Sequence, residues 1–154
     1  MNLRTQDLEE MYHHAEREFP SECCGVVIGE KGNSRRNEVR PCKNIQHELK
    51  EKYPNQYSRD SDTGYFMDPK ELKAAFDDAA RQKLEVVGFY HSHPNHDAYW
   101  SEEDHRASLW GDEPSFPEAF HVVISIYHGK VKGYAAFEWD GSLKRFAQTK
   151  TGEV

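Results

Sequence analysis

The fold is limited most strongly by the stretch HSHP at residues 91–94, followed after six residues by SEED at residues 101–104. Side chains alternate faces along a strand, so His91 and His93 point the same way with Cα atoms roughly 6.6 Å apart. The proline ends the strand, and Asp104 lies in the first turn of a helix that opens at residue 101. The pattern therefore predicts a strand, a loop and a helix that bring three side chains to one point.

This pattern suits a zinc site of the catalytic kind. Zinc binds imidazole nitrogen and carboxylate oxygen, and a site with three protein ligands leaves a fourth position open for water. His91, His93 and Asp104 are the candidate ligands. The pattern alone leaves other interpretations open, because His-x-His pairs on strands often bind no metal. Ser101 with Asp104 is also typical of an ordinary helix N-cap.

Two nearby histidines raise further alternatives. His96 extends the stretch to HSHPNH, which approaches the His-x-His-x-Asp-His run of metallo-β-lactamase-fold hydrolases. Asn95 stands where that run has aspartate, and 154 residues are few for that fold. His105 could support a metal site as a neighbour of its ligands, but its position on the helix also fits a solvated side chain.

The composition narrows the class of partner. The chain has 154 residues, 27 of them acidic and 20 basic, and 36 % are hydrophobic. This size predicts a single domain over residues 1–154, and the acidic balance argues against nucleic acid and membranes as partners. No apolar run approaches the roughly 18 residues of a membrane span. The N-terminus lacks the apolar stretch of a signal peptide, so we expect a cytoplasmic protein.

The three cysteines, Cys23, Cys24 and Cys42, are expected to be buried thiols. An odd number without a secretory signal argues against a disulfide framework. Two of them are adjacent, which is not the spacing of a zinc-binding thiolate pair. Small apolar side chains on a buried strand are the simpler interpretation.

The hydrophobic pattern predicts helices and strands that form one sheet. Leu8, Met11 and Ala15 repeat at helical spacing, as on the buried face of a helix. The predicted elements are a helix over 5–19 with Thr5 as its N-cap, strands over 23–29 and 38–45, a long ordered loop with room for a helical turn over 46–64, a short strand over 65–67, a helix that begins at Asp68-Pro69, a strand over 85–91, a helix over 101–110, and strands over 120–127, 130–138 and 142–148. We therefore expect an α/β fold of the α+β type, with helices flanking a mixed β-sheet.

These residues resemble the JAMM/MPN+ family of zinc metallopeptidases, also called JAB or Mov34/MPN/PAD-1. The family signature joins an upstream glutamate to His-x-His-Pro, six residues and Ser-x-x-Asp, and every named position is present here. Glu22, in the segment PSECCGVVIG, matches the glutamate of bacterial members, which carry a similar Glu-x-Cys-Gly segment. Trp100 departs from the proline found there in many bacterial members, and we expect unchanged chemistry with a reshaped groove.

The resemblance implies an MPN/JAB-like fold and a role for each signature residue. His91, His93 and Asp104 would hold Zn²⁺. Glu22 would be the general base that takes a proton from water and passes it to the leaving amine. Ser101 would donate a hydrogen bond to the tetrahedral oxyanion. Glu22 lies 69 residues before His91, so spacing alone does not single it out.

The family cleaves peptide or isopeptide bonds after the C-terminal tail of ubiquitin-like proteins. This chain is similar to the stand-alone bacterial members, which process ubiquitin-like sulfur-carrier proteins with a Gly-Gly terminus. The resemblance thus implies a zinc-dependent peptidase or isopeptidase whose substrate tail lies extended in a groove near the zinc. Two alternatives stay open: another small peptide or isopeptide substrate, and a non-catalytic interaction scaffold of the MPN− kind, whose members have lost ligands that are present here.

Overall fold

The computed structural model describes residues 1–154 and contains four helices and a six-stranded sheet. The helices are α1 (Thr5–Glu18), α2 (Gln46–Lys52), α3 (Pro69–Arg81) and α4 (Glu102–Ala107); the strands are β1 (Cys24–Glu30), β2 (Asn33–Cys42), β3 (Glu85–Pro94), β4 (Leu109–Trp110), β5 (Glu113–Pro114), β6 (Phe120–Tyr127), β7 (Lys130–Asp140) and β8 (Arg145–Glu153). The large sheet has the order β2-β1-β3-β6-β7-β8, and β4 pairs with β5 separately. Only β3 and β6 are parallel, so the predicted mixed sheet flanked by helices is confirmed.

Helices α1 and α3 cover opposite faces of the sheet, because the side chains of β1 alternate. Val27 packs in the same core cluster as Met11 of α1. Its neighbour Val26 packs instead with Ala75 and Ala79 of α3. The strand is therefore buried on both sides, which explains the continuous apolar run in its sequence. None of the helices is long and apolar enough to cross a membrane.

Helix α1 is capped by Arg4 and not by the predicted Thr5. The Asp7 carboxylate accepts the Arg4 backbone N–H at 2.8 Å and lies 2.6 Å from its guanidinium. Asn37 of β2 donates to the same carboxylate at 3.0 Å. These contacts satisfy a fully buried Asp7 and join the start of α1 to an edge strand of the sheet.

The segment 46–64 contains more helix than the single turn that was predicted within an ordered loop. Its first seven residues form α2, where the buried Gln46 side chain donates to the Arg59 carbonyl at 2.9 Å. Seven residues are too few for a helical apolar repeat to be evident in the sequence. The strand predicted over 65–67 is wrong, since only one isolated bridge forms there, between Asn44 and Met67.

Two strand boundaries also differ from the predictions. β2 covers 33–42 instead of 38–45, because the chain turns early at Gly32, whose φ of +80° suits glycine. β8 covers 145–153 instead of 142–148 and follows β7 as far as Gly133. The stretches added to the predicted strands, 33–37 and 149–153, are polar. Backbone pairing with a neighbouring strand, and not the side-chain pattern, therefore determines how far they extend.

The close packing of β3 on β6 gives a test of the fold. Gly88 lies opposite Phe120 in this parallel pair, and a Cβ at Gly88 would overlap the Phe120 ring. We expect Gly88→Ala to lower the free energy of unfolding by about 1–3 kcal/mol, as measured by urea denaturation. Gly141→Ala is the matched control, because its nearest neighbour, Trp139 Nε1, would lie 4.0 Å away. Equal losses in the two variants would contradict the described packing.

Candidate metal centre

Strand β3 presents two histidines from the middle of the sheet. It lies between β1 and β6, and His91 is directly opposite Cys24 of β1. His91 and His93 share one face and are only 2 % and 8 % exposed. Ser92 faces the other way, as predicted, and its hydroxyl accepts the Cys23 backbone N–H at 2.8 Å.

Helix α4 brings Asp104 to the histidines through a reciprocal cap. The Ser101 hydroxyl accepts the Asp104 N–H at 3.0 Å, and the Asp104 carboxylate accepts the Ser101 N–H at 3.1 Å. This cap fixes the first turn and leaves Asp104 buried. The helix predicted to reach residue 110 ends at Ala107, because Leu109–Trp110 leaves it to pair with Glu113–Pro114.

Three side chains converge at this point. His91 Nε2 lies 3.2 Å from His93 Nε2 and 3.1 Å from Asp104 Oδ1, and His93 Nε2 lies 3.4 Å from Asp104 Oδ2. Ligand atoms about 2.0–2.1 Å from a tetrahedral zinc ion lie about 3.3–3.4 Å from one another. The observed separations match this spacing, so the two nitrogens and the carboxylate fit such an ion.

Neighbouring groups orient the two imidazoles. His93 Nδ1 lies 3.0 Å from the Asp97 carbonyl oxygen, so Nδ1 carries the proton and Nε2 presents its lone pair to the site. The Tyr65 ring stacks on His91 with centroids 4.6 Å apart and an angle of 27° between the planes. Both rings are thus held in place by contacts outside the donor cluster.

Glu22 lies beside the cluster, on the segment that leads into β1. A Glu22 carboxylate oxygen lies within 4.8 Å of both histidine donors, farther than the Asp104 oxygens. Its backbone N–H donates to the Ser61 carbonyl at 2.7 Å, and its carbonyl accepts from the Asn44 side chain at 3.0 Å. Glu22 is only 6 % exposed. The long segment before α3 therefore fixes the glutamate that the family resemblance selects.

The two carboxylates of the site have opposite pKa shifts. Burial and the negative charge of Asp104 raise the pKa of Glu22 to about 9, against an opposing effect of Arg59. Burial also opposes ionisation of Asp104, but the two histidines and the Ser101 N–H outweigh it and hold its pKa well below its usual range. Asp104 is therefore charged at neutral pH, whereas Glu22 keeps its proton. A divalent cation nearby would favour the charged form of both, so the electrostatics also fit a metal.

A cleft of about 140 Å³ gives access to the cluster. Its wall includes Glu22, His93 and Asp104. It also includes Ser101, the N-cap of α4, and Arg59 of the segment 46–64. The structure thus brings together all five residues of the predicted site, from two parts of the chain that are far apart in sequence. It also adds Tyr65, which also lines this cleft.

Trp100 does not line this cleft. Its ring packs into the core behind the site, 4.9 Å from the Phe146 ring and 5.4 Å from the Phe137 ring. The indole N–H is buried without a hydrogen-bond partner. The tryptophan that replaces proline therefore affects the packing behind the donor cluster. It does not reshape the groove by direct contact, because its ring is not part of the cleft wall.

The other nearby histidines lie outside the donor cluster. His96 is exposed and its Nδ1 lies 3.0 Å from the Pro94 carbonyl oxygen. His105 is partly buried with its ring edge on Phe146, at a centroid distance of 6.1 Å. Sequence reasoning missed Arg59, because it belongs to the polar segment 46–64, which has no recognisable motif. It also missed Tyr65, which was assigned only to a short strand over 65–67.

The geometry agrees with the comparison to known families. The model of the prokaryotic homologs of the JAB domain matches residues 5–139. The chain belongs to this family. The match spans α1 through β7, including Glu22 and the stretch from His91 to Asp104, and confirms the resemblance seen in the sequence.

Relatives of this JAB-family chain have informative names. A CysO-cysteine peptidase of Mycobacterium tuberculosis is 31 % identical over 125 residues, which cover 80 % of this chain and 71 % of the relative. A desampylase of Haloferax volcanii is 28 % identical over 122 residues, or 79 % and 72 % of the two chains. Both names describe the relatives alone.

Solved structures show the same fold. A protein of Desulfitobacterium hafniense is 25 % identical, with a TM-score of 0.69 over 96 % of this chain and 88 % of that one. A JAB1/MPN domain protein of Archaeoglobus fulgidus is 15 % identical, with a TM-score of 0.52 over 97 % and 95 % of the two chains. The second likeness supports the fold alone.

The raised pKa of Glu22 predicts a pH-dependent stability. When a chelator keeps metal away, the folded protein retains this proton up to about pH 9, whereas the unfolded chain loses it near its ordinary pKa of 4.5. The folded state then binds more protons in this window, so stability falls as pH rises. At pH 7.5 we expect Glu22→Gln to be more stable than the wild type by roughly 2–4 kcal/mol, and at pH 4.5 the gain disappears.

Urea denaturation across this pH range, with chelator present, measures the effect. Glu16→Gln is the matched control, because Glu16 is an exposed glutamate on α1. We expect no pH-dependent gain in that variant. A difference between Glu22→Gln and wild type that is constant from pH 4.5 to 7.5 would contradict the described burial of the carboxyl group.

Proposed function

We propose that the chain is a zinc-dependent peptidase that cleaves the bond after the C-terminal tail of a ubiquitin-like sulfur-carrier protein. The observation that carries this proposal is the convergence of two imidazole nitrogens and one carboxylate, with separations of 3.1–3.4 Å, beside the buried carboxyl of Glu22. His91, His93 and Asp104 would hold the zinc. A zinc ion there would supply Lewis acidity toward the scissile carbonyl and toward water.

Glu22 is suited to proton transfer. A buried carboxyl whose pKa is raised to about 9 readily holds a proton, and a nearby cation would bring its pKa down toward neutrality. It can then take a proton from the attacking water and give it to the leaving amine. The backbone of Glu22 donates to the Ser61 carbonyl and accepts from the Asn44 side chain. These bonds keep the side chain beside the donor cluster without occupying the carboxylate.

Ser101 has a hydroxyl hydrogen to spare. Its oxygen accepts the Asp104 N–H as the helix cap, so its own O–H can donate to the oxyanion that forms on the substrate carbonyl. The same side chain thus serves the helix and the reaction. The cap also fixes the position of this donor before the substrate arrives.

The shape of the surface supports a peptide tail as substrate. Tyr65 and Ala107 line both the metal cleft and a neighbouring groove of about 330 Å³. That groove is largely apolar and includes Met67, Phe89 and Phe116. An extended tail could therefore lie in the groove with its last peptide bond in the cleft. The names of the mycobacterial and haloarchaeal relatives, a CysO-cysteine peptidase and a desampylase, favour a ubiquitin-like carrier of such a tail.

The test is hydrolysis of a Gly-Gly-tailed protein. Zinc-loaded wild type, incubated with small Gly-Gly-tailed proteins that bear a C-terminal extension, is expected to release that extension, as read by mass spectrometry. Glu22→Gln is expected to keep zinc and lose hydrolysis, because the ligands remain and the base is gone. Glu16→Gln is expected to match the wild type. Turnover retained in Glu22→Gln would contradict the role of Glu22 as general base. A wild type that neither binds zinc nor hydrolyses the substrate would favour the non-catalytic scaffold.

The two roles of Ser101 can be separated. Ser101→Ala removes the hydroxyl and a good cap, which costs about 1 kcal/mol, whereas glycine at an N-cap costs only a few tenths. We expect both Ser101→Ala and Ser101→Gly to lower kcat by roughly 10²- to 10³-fold, with only the alanine variant losing appreciable stability. A wild-type kcat in Ser101→Gly would mean that the serine is merely a cap.

A further inference from the structure

The wall of the cleft beside the donor cluster has one permanently positive side chain. Among the residues in its wall, Arg59 is the only lysine or arginine, while Glu22, Asp62, Glu103 and Asp104 are acidic. A positive charge in an otherwise acidic cleft has no role in holding a metal ion. It is suited instead to a negatively charged group of a ligand.

The segment that carries Arg59 is attached to the general base. Ser61, two residues along, accepts the Glu22 N–H at 2.7 Å, and the Ser21 and Ser61 hydroxyls lie 3.0 Å apart. The Arg59 carbonyl is held by buried Gln46 of α2 at 2.9 Å. The Arg59 backbone is therefore fixed on the Glu22 side of the cleft, and its charge acts on Glu22.

This position defines which part of a substrate Arg59 can meet. Glu22 gives its proton to the leaving amine, so the residue after the scissile bond lies next to Glu22. The apolar groove, reached through Tyr65 and Ala107, takes the tail before that bond. A carboxylate on the leaving residue would thus come close to the Arg59 guanidinium.

The guanidinium is available for such a ligand. Its Nε lies 3.6 Å from Glu103, with both side chains half exposed, and an exposed ion pair at this distance is weak. Its Nη1 donates to the Thr63 carbonyl at 3.2 Å, so Nη2 and Nε are the atoms that a ligand carboxylate would meet. Glu103 has a second partner in Arg106, at 3.1 Å. A substrate carboxylate can therefore replace Glu103 without leaving that glutamate unpaired.

Resting on the peptidase function proposed above, we propose that Arg59 is a specificity-determining residue that binds the α-carboxylate of the leaving amino acid. The enzyme then prefers to remove one C-terminal residue with a free carboxylate, and an isopeptide bond to a lysine side chain within a protein lacks that group at this position. The small cleft, about 140 Å³, is consistent with a leaving group of one residue.

The test uses two synthetic peptides that end in Gly-Gly-Ala, one with a free C-terminal carboxylate and one with a C-terminal amide. Zinc-loaded wild type is expected to cleave the acid with a kcat/KM roughly 10- to 100-fold above that for the amide, the range of a charge-assisted ion pair. Arg59→Gln is expected to reduce this ratio to about 1, and Arg59→Lys to keep part of it because the charge remains. Arg106→Gln is the matched control, since Arg106 binds the same Glu103 but lies outside the cleft wall.

The outcomes separate this inference from the function on which it rests. Cleavage of both peptides at equal kcat/KM by the wild type, or an unchanged ratio in Arg59→Gln, would overturn the role of Arg59 and leave the peptidase intact. If neither peptide is cleaved, calorimetry measures the affinity of zinc-loaded Glu22→Gln for each of the two peptides. These affinities then decide the role of Arg59. Tighter binding of the acid that is lost in Glu22→Gln/Arg59→Gln supports the role of Arg59, and equal affinities exclude it.

Discussion

A buried carboxylate held against two imidazoles is the interaction on which the rest of the structure depends. An ionised group taken out of water costs several kcal/mol unless it is paired and hydrogen-bonded. Asp104 is charged and almost fully buried, and its oxygens lie within 3.1–3.4 Å of two histidine nitrogens. A bound cation would compensate the same negative charge. The geometry of the donor cluster therefore fits a candidate cation site.

The fold shifts the pKa values of two neighbouring carboxyl groups, Glu22 and Asp104, in opposite directions. Asp104 stays ionised because α4 and the histidines stabilise its charge, whereas Glu22 is protonated because burial and that same charge oppose ionisation. Two carboxyl groups with pKa values moved in opposite directions take different parts in a reaction. One is suited to hold a metal ion and the other to move a proton.

The sequence predicted the part of the site that is local. Residues 91–104 form a strand, a loop and a capped helix, and their spacing alone brings the three proposed ligands together. Glu22 required the family resemblance, because only the β1–β3 pairing brings it across 69 residues of chain. Arg59 and Tyr65 could not be predicted, since a side-chain hydrogen bond to the Arg59 carbonyl and ring stacking on Tyr65 place them. Neither kind of contact leaves a periodic pattern in the sequence.

Zinc analysis of variants decides whether His91, His93 and Asp104 hold the ion. Two overlapping sets of donors share the histidines: one includes Asp104 and the other Glu22. We expect one zinc per wild-type chain after dialysis, loss of that zinc in His91→Ala and Asp104→Asn, and retention in Glu22→Gln. Zinc held at wild-type affinity by Asp104→Asn, together with its loss from Glu22→Gln, would contradict the proposed ligand set and the role of Glu22 as base.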